Sequence, residues 1–353
     1  MKIKNKIQGN LVCSGTGLVA LDVVISNDIE KPTQFYTGGS CGNVLTILSY
    51  LGWDSYPIAR LSNNVASDLL IQDLNKWKVK EDLLTFTEDG STPIIIHRIL
   101  KDKQGLSKHR FEFRNPEDGK YLPSYKPCLS KSVQDILENS PVPKVFYFDR
   151  INRASIDLAK AHKENGATIF FEPSCIKDEK SFSECLKIAD IVKFSEDRIP
   201  YYTFISPQCQ GLIEIQTLGE RGLKYRRKGS AKWSEVKGYV IENVIDTAGA
   251  GDWCTAGIIA LFFSNNYLPK FISESQIEKA LNFGQILSAI NCTFEGARGL
   301  MYNMNYDELI SLIDTFMGTK SNTIYLTNRQ IIKAAVPFNS IKISSLFVNA
   351  NAI

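Results

Sequence analysis

Asp246-Thr247-Ala248-Gly249-Ala250-Gly251-Asp252 stands between a strand-like run, Tyr239 to Ile245, and a helix-like run, Trp253 to Phe263. Small residues at such a junction let backbone N–H groups converge at a helix N-terminus, where unsatisfied donors and the macrodipole attract an anion. Gly249, Ala250 and Gly251 are therefore expected to form an anion hole suited to a transferring phosphoryl group. Asp252 falls at the helix start, where the same dipole favours the ionised carboxylate, and a carboxylate there can accept a proton from an attacking hydroxyl. Strong basicity is not required, because positioning and electrostatics supply most of the acceleration in a loose phosphoryl-transfer transition state. The competing reading is that Asp252 only caps its helix, since Asp is a favoured cap residue.

Outward from this stretch, the chain alternates between strand and helix patterns. Leu11 to Thr16 reads as a short buried strand, and Leu18 to Ile25 as a second β-rich run interrupted by Asp22. Gly38-Gly39 opens a segment, Cys41 to Leu51, with apolar residues at helical spacing and Gly52 as its stop. The order continues through a strand at Tyr56 to Leu61, a helix at Ala66 to Trp77, a strand at Val145 to Phe148 and a helix at Ala154 to Asn165. Thr168 to Phe171, Phe182 to Ala189, Ile191 to Phe194 and Ile213 to Gln216 extend it. Such alternation predicts an α/β domain, a parallel sheet with helices on both faces, and ligands at the carboxyl ends of the strands. Ser91 to Leu100 and Lys108 to Arg114 break the pattern. With Leu18 to Ile25 they predict a small separate sheet, a lid spanning about 18–37 and 91–114. The main domain is read as 1–320, and 321–353 as a C-terminal extension without an assigned role.

Composition bounds the function. The chain has 353 residues, 44% hydrophobic and 22% charged, which is ordinary for a globular domain and excludes a default of disorder. A net charge of +3 without a long basic block argues against a nucleic-acid partner and for small molecules. The eight cysteines are scattered without C-x-x-C spacing, which fits a reducing compartment and no zinc-finger-type site. No run reaches the roughly 20 apolar residues of a membrane span, and Met1 to Asn10 lacks a secretory apolar core, so a cytoplasmic protein without a membrane partner is expected.

Far upstream of the Asp246 stretch lies Gly38-Gly39-x-x-x-Asn43, preceded by Gly17-x-Val19-x-x-Asp22. Together these segments resemble the two signatures of the ribokinase-like (PfkB) family of carbohydrate kinases, about two hundred residues apart in the expected order, over Leu11 to Tyr302. The resemblance implies a three-layer α/β/α domain with a mostly parallel central sheet and a β-sheet lid. It also implies ATP, whose chemistry in turn calls for Mg2+, with a monovalent cation and a homodimer paired through the lid as further options.

By similarity, Asp22 and Asn43 would hold the hydroxyls of a sugar-like substrate, with backbone from Gly38 and Gly39 close by; a carboxylate and an amide together can read a polyol. Thr217-Leu218-Gly219-Glu220-Arg221-Gly222 resembles the family's T-L-G-x-x-G turn, so Thr217, Gly219 and Gly222 are expected against the nucleotide phosphates along with Thr247. Phe283-Gly284-Gln285 and Glu295-Gly296-Ala297-Arg298-Gly299 look like segments flanking an adenine pocket, which makes Gln285 a base contact.

The departures are informative. Where the family often has N-x-x-E, this chain reads Ser195-Glu196-Asp197-Arg198, which exchanges a carboxylate for a cation and leaves the metal ligands unassigned. Ala20 stands where many sugar kinases have Asn. Asp149-Arg150 and Glu172-Pro173-Ser174 are placed to reach the site from strand ends, and Arg98, His109, Arg110 and Arg114 in the lid are candidates to clamp an anionic substrate. The leading reading is a carbohydrate kinase with Asp252 as base. The alternatives are a nucleoside kinase of the same fold, or a sugar- or nucleotide-binding sensor without turnover. A dinucleotide-binding dehydrogenase is disfavoured, because Gly15-Thr16-Gly17 lacks a third glycine and runs into strand-like sequence.

Overall fold

In the computed structural model, residues 11–26, 28, 30–101, 107–200, 213–264, 272–317, 323–324 and 342–348 are described. The chain opens with strands β1 (Val12–Thr16), β2 (Ala20–Ile25) and β3 (Gln34–Gly38), then helix α1 (Ser40–Tyr50), β4 (Asp54–Leu61), α2 (Val65–Lys76) and β5 (Leu84–Phe86). It continues through β6 (Ile94–Lys101), β7 (Ser107–Glu112), α3 (Val133–Asn139), β8 (Val145–Phe148), α4 (Arg153–Glu164), β9 (Thr168–Phe171), α5 (Glu179–Ile188) and β10 (Ile191–Ser195). After these come β11 (Ile213–Thr217), β12 (Gly222–Arg227), β13 (Ser234–Lys237), β14 (Val240–Ile241), α6 (Ala250–Phe263), α7 (Glu274–Asn291), α8 (Gly299–Asn303), α9 (Tyr306–Met317) and β15 (Thr323–Ile324).

Nine strands form the central sheet in the order β13-β12-β11-β10-β9-β8-β1-β4-β5, parallel from β11 through β5 and antiparallel where β12 and β13 close one edge. Side-chain alternation splits the core in two. Phe146, Phe148, Ile169, Phe171, Val192 and Phe194 pack with α4 and α5, whereas Tyr147, Phe170 and Ile191 face the side covered by α1, α6 and α7. Strands buried on both faces explain the near-continuous apolar runs of β8 and β9 and make the domain three layers, α/β/α.

A second sheet, β3-β2-β6-β7, has mixed pairing: β2 is antiparallel to β3 and parallel to β6, and β6 is antiparallel to β7. It is the lid read from the sequence. No helix among the described residues is long and apolar enough to cross a membrane.

Two expectations are corrected. Tyr239 to Ile245 is not a strand of the central sheet: only β14 is extended, paired with β15, while Val240 and Val244 lie open to solvent and the Ile245 and Asp246 N–H groups donate to the Cys292 carbonyl. With no sheet to bury its alternating valines, the run passes to α6 as a loop. The hairpin β12–β13 was not anticipated, because Lys224, Arg226 and Arg227 mask a period of two carried by Leu223 and Tyr225, both buried.

Candidate active site

Four elements meet at the carboxyl ends of the parallel strands: the end of β3, the start of α1, the loop into α6 and the turn before α8. Gly249 is the N-cap of α6 with φ 72°, so Asp252 sits within the first turn of the helix and is not its cap. A side chain at Gly249 would meet the Ala297 carbonyl at 2.1 Å, so a non-glycine residue there would displace the loop. Asp246 fixes the loop by accepting from Ala248 N and Gly296 N, both at 2.9 Å. Beyond Gly251 the nearest atom is Lys193 Nζ at 4.0 Å, which leaves space beside the backbone N–H groups of the helix start.

The N-terminal signature reaches the same place. Gly39 is the N-cap of α1, and Asn43 in its first turn donates from Nδ2 to Asp252 Oδ2 at 2.8 Å. Asp22 on β2 lies over Gly38, where a Cβ would come within 2.0 Å of the Asp22 carboxyl carbon, so this pair requires glycine. Arg298 links these groups: its guanidinium donates to Asn43 Oδ1 at 3.2 Å, to the Thr37 carbonyl at 2.6 Å and to Asp73 Oδ2 at 2.5 Å. Asp73 also accepts from Thr37 N at 2.8 Å and from the Tyr302 hydroxyl at 2.6 Å. Asp22 Oδ1 and Arg298 Nη1 are buried without a hydrogen-bond partner among the described residues, a pair of polar atoms that an added ligand hydroxyl would satisfy.

Beneath Asp252 lies a buried ion pair. Lys193 on β10, 2% exposed, donates to Glu172 Oε1 at 2.5 Å and to the Gly251 carbonyl at 3.3 Å. Glu172 Oε2 accepts from Thr255 at 2.7 Å and from Tyr147 at 3.2 Å. Burial works against the Lys193 ammonium, but Glu172 and the other negative groups nearby outweigh it, so its pKa stands above the ordinary value.

The expectation that the helix dipole holds Asp252 ionised is corrected. Burial pushes its pKa up to about 7 and Glu172 adds to the rise, against the Asn43 hydrogen bond and the charges of Lys193 and Arg198. Burial likewise pushes Asp22 to about 7, opposed by Arg298 and reinforced by Asp252 and Asp73. Burial thus favours the protonated form of both carboxyls near neutrality.

The other sequence candidates fall into three groups. Thr217 ends β11 beside Ser195, its carbonyl accepts from Glu196 N at 3.1 Å, and Gly219 and Gly222 form the turn that follows. Arg198, in the same set of loops, is exposed and acts electrostatically on Asp252. Thr247 points to the lid, with Oγ1 3.4 Å from His109 Nδ1, and Gln285 is spent on the Lys237 carbonyl at 3.3 Å, away from the Asp252 cluster.

Several residues are committed elsewhere than expected. The Glu295–Gly299 segment serves the loop and acceptor side: Glu295 pairs with Lys31, Ala297 accepts from Trp253 Nε1, and Arg298 joins Asn43. Arg98 and Arg110 share the single carboxylate of Glu112, and Arg114 stacks on Tyr121, so each of these arginines has a partner within the lid, while the Glu112 cluster keeps a net positive charge. Asp149 is pulled toward Arg150 and Leu18 N. Sequence reasoning missed Asp73 and Lys193. The only signals were an acidic residue inside the helical pattern 66–77 and a lysine within an otherwise apolar strand.

No family model matches the chain. It is 25% identical over 288 residues to a probable chloroplastic fructokinase of Arabidopsis thaliana, covering 74% of this chain and 70% of that protein. A putative sugar kinase of Pyrococcus horikoshii is 24% identical over 270 residues, covering 72% and 83%. The crystal structure of that sugar kinase aligns with TM-score 0.63 over 85% of this chain and 97% of its own, at 21% identity. The structure of an aminoimidazole riboside kinase of Salmonella enterica, complexed with aminoimidazole riboside and an ATP analogue, aligns with TM-score 0.64 over 87% of this chain and 100% of its own, at 17% identity.

Proposed function

We propose that this chain, which belongs to the ribokinase-like (PfkB) family of carbohydrate kinases, transfers the γ-phosphoryl group of ATP to a hydroxyl of a small sugar or sugar derivative, with Asp252 as catalytic base. The observation that carries the reading is the 2.8 Å hydrogen bond from Asn43 to Asp252, which joins the polyol-reading pair of the N-terminal signature to the carboxyl beside the anion loop.

In this reading the acceptor's hydroxyls bond to Asp22 and Asn43, in the neighbourhood of the unpaired Asp22 Oδ1 and Arg298 Nη1. The attacking hydroxyl passes its proton to Asp252 as its oxygen bonds to the γ-phosphorus, and the bond to the β-phosphate oxygen breaks to release ADP. N–H groups of Gly249, Ala250 and Gly251 receive the charge that develops on the phosphoryl oxygens. In this reading Thr217, Gly219 and Gly222 face the polyphosphate, whereas the Thr247 hydroxyl turns to the lid and the Gln285 amide is bonded to the Lys237 carbonyl. The lid excludes water and so suppresses ATP hydrolysis.

Mg2+ accompanies ATP in such chemistry, but the residues present do not fit a protein-held cage. Glu196 is ion-paired with Arg221, Glu172 with Lys193, and Arg198 occupies the position of a ligand carboxylate. The ion would keep ATP oxygens and water as its ligands, and Arg198 supplies positive charge directly.

One observation favours a nucleoside as a second acceptor class. A pocket of about 380 Å3 at the base of the lid is lined by Leu18, Ile94, Ile95, Phe113, Tyr121 and Tyr125 among others. Ile95 pairs in register with Asp22, so an apolar base attached to a sugar held by Asp22 has a place to lie.

The test is ADP release measured over a panel of free sugars, sugar phosphates and nucleosides, alongside ligand-induced thermal stabilisation. Turnover with one sugar class, lost in Asp252→Asn, is the expected result, and turnover with nucleosides alone would select the second reading. Stabilisation without ADP release would replace both with a non-catalytic sensor.

A further inference from the structure

His97 on β6 and His109 on β7 lie on one face of the lid, diagonal neighbours in a ladder where His97 pairs with Phe111 and His109 with Ile99. That face meets the loop into α6 at Asp246, and the proposed phosphoryl transfer uses neither imidazole. His97 Nε2 is 3.3 Å from Asp246 Oδ2, and His109 Nδ1 is 3.3 Å from Asp246 Oδ1. One ligand atom from each of the three residues fits within a mutual span of 4.8 Å. Bonds of about 2.0–2.1 Å in tetrahedral geometry put neighbouring donor atoms about 3.3 Å apart, and each imidazole nitrogen stands at that separation from one of the two Asp246 oxygens, His97 Nε2 from Oδ2 and His109 Nδ1 from Oδ1.

A second observation points to a ligand there. His97 is 0% exposed, yet neither of its ring nitrogens has a hydrogen-bond partner among the described residues. A buried imidazole with both nitrogens unpaired is costly, and proximity to Asp246 has not produced a hydrogen bond of proper geometry. Asp246 is rigidly oriented by the N–H groups of Ala248 and Gly296, the kind of outer-shell support that aims a carboxylate at a metal. The His109 side chain, 30% exposed, leaves a route in from solvent.

We propose that His97, His109 and Asp246 form a transition-metal site of the zinc class that fastens the lid to the phosphate loop. Two imidazole nitrogens and one carboxylate suit Zn2+, Co2+ or Ni2+, whereas Mg2+ and Ca2+ take oxygen donors. Three protein ligands leave a fourth position for water or a phosphate oxygen. The two lid strands are then tied to the segment that orients Gly249 to Asp252, and the assignment stands whether or not the kinase reading does.

The test uses the full chain, stripped of metal with chelator and titrated with Zn2+ alone against a competing dye, and separately with Co2+ followed by absorption. The expected result is one equivalent bound, Co2+ ligand-field bands without a thiolate charge-transfer band, and a rise in Tm on adding Zn2+. His97→Phe and His109→Ala should each weaken binding by at least about tenfold and abolish the rise in Tm. If His97→Phe does not fold, His109→Ala, on a partly exposed ring, carries the same comparison. Absence of zinc uptake by the full chain, unchanged affinity in a folded variant, or a thiolate band marking cysteine ligation would each overturn the proposal.

Discussion

A carboxyl pushed up to about 7 is divided between protonation states at neutral pH, and Asp22 and Asp252 are both in that position. In the proposed transfer the base must be ionised to take a proton, so kcat/KM should rise with pH and level off above about 7. The same shift has a stability sign. A group whose folded pKa is raised binds its proton more tightly in the native state, so its contribution is full below the unfolded value near 3.8 and is lost as pH rises through about 7. Asp252→Asn should therefore lower kcat by about 10²–10⁴ while raising Tm more at pH 8 than at pH 5. Thermal melts at both pH values check the second half independently of any substrate. A Tm increase equal at both would mean that the carboxyl is not strained by burial. Asp252 was legible in the sequence because its glycine context is local. Its protonation was not, because that depends on Glu172 and on burial beneath Asn43, contacts made across the fold.

At the scale of elements, the ends of β9 and β10 deliver Glu172 and Lys193 to the underside of α6, where Lys193 also holds the Gly251 carbonyl. Strand periodicity placed both strands, but it could not distinguish a lysine at a strand's edge from one enclosed by three elements. The pair's value is revealed by breaking it one side at a time. Lys193→Met leaves Glu172 buried without its cation and should cost about 3–5 kcal/mol in chemical denaturation. Adding Glu172→Leu should recover a large part of that loss, because a well-packed apolar pair is close to neutral against an ion pair. Activity should not return in the double variant if the Gly251 backbone needs the lysine to stay in place. Recovery of both stability and kcat would show that the pair is only packing. Arg198 is the counterpart on the open side of the site: Arg198→Ala should lower kcat/KM and raise the KM for ATP while leaving stability within about 0.5 kcal/mol, since the residue is exposed.

On the scale of the whole molecule, alternating strand and helix patterns announced the three layers because each pattern repeats over many residues, and the lid showed as the β-rich arms that interrupt that alternation. The segment after α9 resisted reading because its patterning is weak, and its described parts are held by contacts that no local period announces. Strand β15 pairs with β14, and a short 3₁₀ helix, Ile343–Phe347, packs against α2. Leu346 is 0% exposed within the same apolar cluster as α1, α2 and α6, and Ile343 N donates to Glu117 at 2.7 Å. The segment is thus a brace on the helix that carries Asp73, and Asp73 in turn holds Arg298 beneath Asn43. Leu346→Ala should cost about 2–4 kcal/mol by opening a cavity beside α2. The kinetic consequence should be directional: loosening α2 disturbs the acceptor side through Asp73 and Arg298, so the KM for the acceptor should rise while the KM for ATP stays near its wild-type value. Removal of residues 342–353 should reproduce both effects. Unchanged stability in the truncated chain would mean that the segment is not docked in solution, and equal changes in both KM values would mean that its influence does not run through Asp73.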